Sequence, residues 1–481
     1  MSDYERIIGL EIHAEVATKS KIFCSCSTKF GQPANENTCP VCIGMPGTLP
    51  MLNEEVVALA IKAGKALNCN INSMSKFDRK NYFYPDLPKG YQITQMDMPI
   101  CSNGHYDIEV DGEKRRIHIN RIHIEEDAGK LIHMEKEDIS LVDYNRAGVP
   151  LIEIVTEADF RSPEEVTIFL RDLRAILLYT GVSDGKMEEG SLRCDVNISL
   201  RKSGTTKLNK RVEIKNLNSF KEVYRALIAE EKRQNKLYMQ GRQEEIQEET
   251  RRWDEKLEKT VLMRSKEETQ DYRYFPDTDL MTVVIDEDFI EEISKNMAEL
   301  PNERKNRIIE ESNIKESQLD ILMEDKAYID YFEETISYGV NPEDAANWIT
   351  IDILRILKEK EITGKDIPIK PLYLARLIGL IDKGTISRNL ARKVLYAMID
   401  SDKTPEILVE EMGFGQISDI DELEGIVSTI IEDNPEAVED YKNGKSKAIG
   451  YMMGEIMKAT RGKANPPKVK EILQKKLQKI H

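Results

Sequence analysis

The sequence predicts an α+β protein: an antiparallel-sheet domain followed by a helical domain and a small all-α C-terminal domain. Three observations predict it. Apolar and polar residues alternate with period two in several segments up to about residue 285, and then the alternation stops. Beyond that point apolar residues recur every three or four positions, the helical spacing. About 80 residues at the end keep that spacing but divide sharply in charge. At roughly 150 residues per domain, 481 residues suit three domains, placed at 1–290, 291–405 and 406–481.

The first strand runs from Ile7 to Val16, with Ile8, Leu10, Ile12, Ala14 and Val16 on one face and Glu11, His13 and Glu15 on the other. Further strands fall at Ile117–Ile124, Val149–Thr156, Leu192–Leu200, Arg211–Lys215 and Met281–Ile285. Two helices interrupt them. Asn53–Ala66 is one; Ser162–Tyr179 is the other, opening with a capping hydroxyl, a proline and two carboxylates. In the helical domain Asn341-Pro342-Glu343-Asp344 starts one helix and Ser387 caps another that runs through Ile399.

A hydrophobic fraction of 40% is enough for a core and argues against wholesale disorder. No apolar run approaches the roughly 18 residues that span a bilayer, and no secretory pattern opens the chain, so a cytoplasmic protein with reduced thiols is expected. The net charge of −17 argues at first against a polyanionic partner. Its distribution reverses that. Residues 401–440 hold thirteen acids and one base, whereas residues 442–481 hold ten Lys and one Arg against two Glu. A basic terminal module on an acidic body is the asymmetry expected where one end meets a phosphate backbone; a solvated helical surface is the competing account.

Cys24-x-Cys26 and Cys39-Pro40-Val41-Cys42 are two close thiol pairs joined by a short loop rich in Gly, Pro and Asn, the spacing of a closed, structural zinc site. Cys69, Cys101 and Cys194 read as core residues. Glu11 and His13 lie two apart on one strand and point the same way. Glu125-Glu126-Asp127 follows another strand, and Glu153 sits inside Val149-Pro150-Leu151-Ile152-Glu153-Ile154-Val155, where a carboxylate needs a cation or donors. One ion would satisfy His13, Glu11, Glu126 and Glu153 together, and oxygen-rich ligands with one imidazole suit magnesium. The bland alternative is an Arg or Lys partner for Glu153 and a solvated acid run.

Cations complete the set. Arg193 shares a strand face with Asp195 and Asn197, Arg211 shares one with Glu213 and Lys215, and Lys80 and Lys89 bracket the aromatic, turn-rich tract from Asn81 to Pro88. Such groups next to a carboxylate-held metal are the parts phosphoryl transfer needs, so Lys80, Lys89, Arg193 and Arg211 are candidates for ATP phosphates. No G-x-x-x-x-G-K-[ST] exists, because Glu439 stands where Gly444-Lys445-Ser446 would need a first glycine, and there is no G-x-S-x-G elbow.

Gly9-Leu10-Glu11-Ile12-His13-Ala14-Glu15, the four cysteines, Phe83-Tyr84-Pro85-Asp86-Leu87-Pro88-Lys89-Gly90-Tyr91-Gln92, His123-Ile124-Glu125-Glu126-Asp127-Ala128-Gly129-Lys130, Asp143-Tyr144-Asn145-Arg146-Ala147-Gly148, Glu189-Gly190-Ser191-Leu192-Arg193-Cys194-Asp195-Val196-Asn197 and Tyr272-Arg273-Tyr274-Phe275-Pro276-Asp277 together resemble the B subunits of the aspartyl/glutamyl-tRNA amidotransferases. Lys445-Ser446-Lys447-Ala448-Ile449-Gly450 and Lys458-Ala459-Thr460-Arg461-Gly462-Lys463-Ala464-Asn465-Pro466 extend the likeness into the tail. The resemblance implies a cradle-shaped catalytic domain and a tail that contacts tRNA, with Lys445, Lys447, Lys458, Arg461 and Lys463 as contacts. It implies a heterotrimer in which an amidase (glutaminase) subunit frees ammonia from glutamine and a small third subunit wraps the other two. It places magnesium on Glu11, His13, Glu126, Glu125 and Glu153, and zinc on Cys24, Cys26, Cys39 and Cys42. With Arg193 and Lys215 added from the cationic strand faces, the catalytic set is Glu11, His13, Glu126, Glu153, Arg193 and Lys215, and the reaction the resemblance implies is ATP-dependent amidation of Glu-tRNA(Gln), Asp-tRNA(Asn) or both. A non-catalytic tRNA-binding scaffold with a structural acid cluster is the alternative.

Overall fold

The computed structural model describes residues 4–134, 139–265, 271–312, 314–414, 420–442, 447–460, 464 and 466–479. It divides into two compact units, Met1–Glu303 and Arg304–His481. Among the described residues no helix is long and apolar enough to cross a membrane.

The first unit is built on a nine-stranded sheet. In chain order its strands are β1 (Tyr4–Glu15), β2 (Asn70–Ile71), β3 (Cys101–Val110), β4 (Glu113–Glu126), β5 (Pro150–Thr156), β6 (Leu192–Lys202), β7 (Val212–Lys215), β8 (Glu249–Asp254) and β9 (Lys259–Ser265). They lie in the order β9-β8-β7-β6-β1-β5-β4-β3-β2, antiparallel throughout except for the parallel β7–β8 pair. The predicted strand at Met281–Ile285 is reduced to Val283–Val284, which pairs with Met74–Ser75 outside this sheet.

Strand β1 shows why one side of the sheet is dry. Ile8, Leu10, Ile12 and Ala14 are buried and join one core with the helices α1 (Glu54–Ala66) and α2 (Pro163–Tyr179) through Val56, Ala60, Phe169 and Leu170. Asn53 caps α1, and Ser162 caps α2 by accepting from the Glu165 amide, with Pro163 at its first position. The sequence predicts two helices here, and the structure adds a third, α3 (Phe220–Met239). Its buried face is narrow and partly polar, including Glu230 and Gln234, and charged residues crowd the rest of the helix. The readable signal was local: Ser219 accepts from the Glu222 amide and Glu222 accepts from the Asn218 amide, a capping pair.

The second unit is helical throughout its described residues. Asn341 caps Pro342–Asn347, which continues through a wider π turn, Trp348–Ile353, into Leu354–Lys360; Ser387 caps Arg388–Ile399. Toward the end of the chain Leu423, Val427, Met452, Ile456, Val469, Leu473 and Leu477 form an apolar core of their own.

Candidate active site and metal centre

The wet face of the sheet carries the candidate chemistry, because residues directly opposite each other on antiparallel strands share a face. His13 pairs with Glu153 on β5 and with Arg193 on β6, and Glu153 pairs with His123 on β4. One row therefore reads His123, Glu153, His13, Arg193 across four strands. Two residues along β1, Glu11 lies opposite Asp195, and Asn197 lies opposite Glu213 on β7. Glu125 is two residues beyond His123 and so faces the same side.

The side chains converge. His13 Nε2 lies 3.3 Å from Glu125 Oε1 and 3.6 Å from Glu153 Oε2, and His123 Nε2 lies 3.0 Å from the same Glu153 oxygen. One ligand atom each from His13, Glu125 and Glu153 fits within 4.8 Å, close enough to hold a metal ion. Burial works against charge on either imidazole, yet hydrogen bonds and charge from the two carboxylates hold His13 up at about 10 and His123 at about 9. Burial likewise opposes the Glu125 carboxylate, but the imidazoles bring its pKa down to about 2; Glu153 is held well below the usual range in the same way. Two carboxylates kept ionised in a buried site demand positive charge, which protonated imidazoles supply here and a divalent cation can supply instead. His123 was not singled out from the sequence, although its i, i+2 spacing to Glu125 was the available signal; its buried Nδ1 has no hydrogen-bond partner.

The remaining candidates fall in different places. Glu126 is not brought into this group. Adjacent strand residues point to opposite faces, and Glu126 is turned to the other side, where its carboxylate accepts from Lys89 Nζ at 2.7 Å and from the Ile93 amide at 2.9 Å. Glu11 stays on the wet face one row away, accepts from Asn197 Nδ2 at 3.1 Å, and has its pKa raised by burial and by neighbouring carboxylates, Glu153 first. Arg193 donates to Asp127 at 2.7 Å, and Lys215 is held between Asp195 and Glu213. Arg211 is exposed at the rim of a cleft lined by Gly9, Glu11, Asn197 and Ser199. Lys80 Nζ sits 4.9 Å from the Tyr272 ring centre. In the tail Lys447 and Lys458 are exposed, while Lys445, Arg461 and Lys463 lie outside the described residues.

Cys24, Cys26, Cys39 and Cys42 also come together, one sulfur from each within 4.8 Å of the others. The Cys42 thiol is pulled down to about 4, first by a hydrogen bond from Cys24 and further by the Cys39 amide and the charge of Lys21, while burial, with a hydrogen bond to Cys39, pushes Cys26 up to about 11. Sulfurs this crowded, with one already thiolate-like, form the donor set a soft divalent metal takes. Cys69, Cys101 and Cys194 are buried elsewhere.

Two family models match the chain. One, described as the GatB/GatE catalytic domain, covers residues 6–291, and another, described as the GatB domain, covers residues 330–477. The chain is 52% identical over 474 residues to a B subunit of the aspartyl/glutamyl-tRNA(Asn/Gln) amidotransferase of Clostridium acetobutylicum, a match that covers 98% of this chain and 99% of that one. It is 53% identical to the B subunit of the same enzyme from Clostridium beijerinckii over 99% of this chain and all of the relative, and 53% identical to that from Caldicellulosiruptor saccharolyticus with the same coverage.

Proposed function

This chain belongs to the GatB/GatE family, and from that membership and the His13, Glu125, Glu153 group we propose that it carries out the amidation step of a tRNA-dependent amidotransferase, a carbon–nitrogen ligase with glutamine as amide donor. The substrate is the side-chain carboxylate of Glu-tRNA(Gln), Asp-tRNA(Asn) or both. Such a carboxylate does not accept ammonia, because its oxygen is a poor leaving group. Phosphorylation removes that obstacle: a carboxylate oxygen attacks the γ-phosphorus of ATP, ADP leaves, and ammonia then displaces phosphate from the acyl phosphate to give the amide.

His13, Glu125 and Glu153 would hold magnesium, with Glu11 one row away on the same face. Bound there, the ion would neutralise phosphate oxygens and keep waters as its other ligands. Arg193 and Lys215, each fixed by carboxylates on that face, steady the charge of the transferring group, and Arg211 borders the cleft beside Glu11 where phosphates enter. Lys80, propped against aromatic rings, is a further cation of the nucleotide site, whereas Lys89 is held by Glu126 on the other side of the strand. The cysteine group holds structural zinc. An amidase subunit supplies ammonia, a small third subunit completes the heterotrimer, and the basic tail binds tRNA by its backbone, all in the cytoplasm.

The observation that carries this reading is the convergence of one imidazole, one buried carboxylate and one half-buried carboxylate from three strands on one face. Reconstitution with both partner subunits, ATP and each mischarged tRNA tests it. His13→Ala should abolish ATP-dependent amide formation while tRNA still binds. Full activity in that variant would leave only the scaffold reading.

A further inference from the structure

Lys21 follows β1 at the start of the cysteine-bearing segment, and its side chain is completely buried, 0% exposed. Its ammonium donates to the Asn37 carbonyl at 2.7 Å and the Tyr144 carbonyl at 3.2 Å, and lies 3.6 Å from Cys42 Sγ. Among the described residues no carboxylate pairs with it. Carbonyl dipoles solvate an ammonium in part, but a cation taken wholly out of water needs an anion as well, and the only group of that kind it touches is the Cys42 sulfur. The cysteine group has the opposite problem. Four thiolates around a divalent cation carry a net charge of −2, and the Cys39 amide at 3.1 Å from Cys42 Sγ is a dipole rather than a charge. Each feature supplies what the other lacks.

The turn that this ammonium binds reaches the catalytic face. The Tyr144 carbonyl belongs to a turn that continues into Arg146, whose Nε is 3.2 Å from Asp127, the carboxylate that also fixes Arg193. The turn closes at Gly148, whose carbonyl accepts from the Ile22 amide and whose amide donates to the Asp127 carbonyl. Gly148 has φ +83°, and a Cβ there would stand 3.6 Å from both Cys42 Cβ and Lys21 Cδ. One turn thus touches the sulfur group on one side and the anchor of Arg193 on the other.

We infer that Lys21 is the counter-cation of the metal-loaded four-cysteine group and the tie that fixes the Asp143–Gly148 turn against it. The inference rests on the reading that this group holds zinc. Lys21 acts through Cys42 and Tyr144 and is a positioning residue, so its test reads metal affinity and turn order.

Zinc affinity is measured on the full chain by competition with a chromophoric chelator, for the wild type and for Lys21→Met, which keeps the length of the side chain without its charge. The variant should bind zinc about 10- to 100-fold more weakly, the usual effect of removing a group that supports metal ligands. In parallel, wild-type chain is treated with acetic anhydride before and after zinc is stripped, and hydrogen exchange is followed by mass spectrometry. Lys21 should resist acetylation in the loaded protein and react in the stripped one, with amide protection falling over residues 143–148. A wild type that takes up no zinc would overturn the metal reading beneath the inference. Zinc uptake with equal affinity in Lys21→Met, or a Lys21 that stays unreactive after stripping, would overturn the role of Lys21 alone. Should the variant fail to accumulate, acetylation of the wild type decides.

Discussion

Replacing Glu153 by glutamine keeps the size of the side chain and removes one charge from the row His123, Glu153, His13. Glu153 Oε2 lies 3.0 Å from His123 Nε2 and 3.6 Å from His13 Nε2. At an effective dielectric constant of about 20, attraction at such distances is about 5 kcal/mol before desolvation is counted. The realised loss is smaller, because an imidazole stripped of its partner can shed its proton instead of remaining a lone buried charge. Burial lowers the pKa of His123, and the charge of Glu153 is the largest influence lifting it to about 9. Without that charge it should fall, although Glu125 at 3.6 Å still supports it, as Glu125 at 3.3 Å still supports His13. Each pKa unit of that fall corresponds to about 1.4 kcal/mol. The sign of its pH dependence follows: a folded-state pKa raised above the unfolded one stabilises fully below the unfolded value and fades as pH rises through the folded value. The destabilisation by Glu153→Gln should therefore be about 1–3 kcal/mol near pH 6 and fade as pH rises through about 9. The chain has only 6 histidines, so titration of Cε1-labelled protein in a chelator resolves the two imidazoles, and denaturant melts of the first unit's signal give the stability. A His123 that still titrates near 9 in the variant, or a stability loss that grows with pH, would refute the reasoning.

Other perturbations read different parts of the molecule. Since His13 is an imidazolium below about 10 in the absence of metal, magnesium must displace its proton, and affinity should rise about tenfold per pH unit from neutral pH; calorimetry in buffers of different ionisation enthalpy should count about one proton released, and none would remove His13 from the ligands. Cys39→Ser should lower zinc content toward zero on elemental analysis, and full occupancy would exclude a four-sulfur site. Lys447→Glu and Lys458→Glu, at exposed positions, should weaken tRNA binding and reduce the slope of log K against log salt by about 0.9 for each phosphate no longer neutralised; an unchanged slope in filter binding would place the tRNA elsewhere.

Much of the site was readable because strands are periodic. The i, i+2 spacing of Glu11 and His13 put both on one face, and a carboxylate inside the apolar run around Glu153 announced a partner before any partner was visible. The cysteine spacing was equally explicit. What escaped was which strand lay beside which. The sequence favoured Glu126 over its neighbour Glu125 as a ligand, but strand alternation and register turned Glu125 toward His13 and Glu126 toward Lys89. Helix α3 escaped for another reason: its buried Glu230 bonds Arg233, Gln234 and Thr260, so its inner face carries polar groups where hydrophobic spacing looks for apolar ones.

The sequence by itself determined the α+β class, the places where helices cap, the four-cysteine set and the division of charge along the chain, since each depends on neighbours close in sequence. Only the tertiary structure decided that His13 meets Glu153 on one side and Arg193 on the other, that His123 joins them, and that a buried lysine stands against Cys42. Those contacts span tens to more than a hundred positions. They exist because antiparallel pairing fixes distant residues in one register, and the cost of slipping every apolar side chain into water holds that register in place.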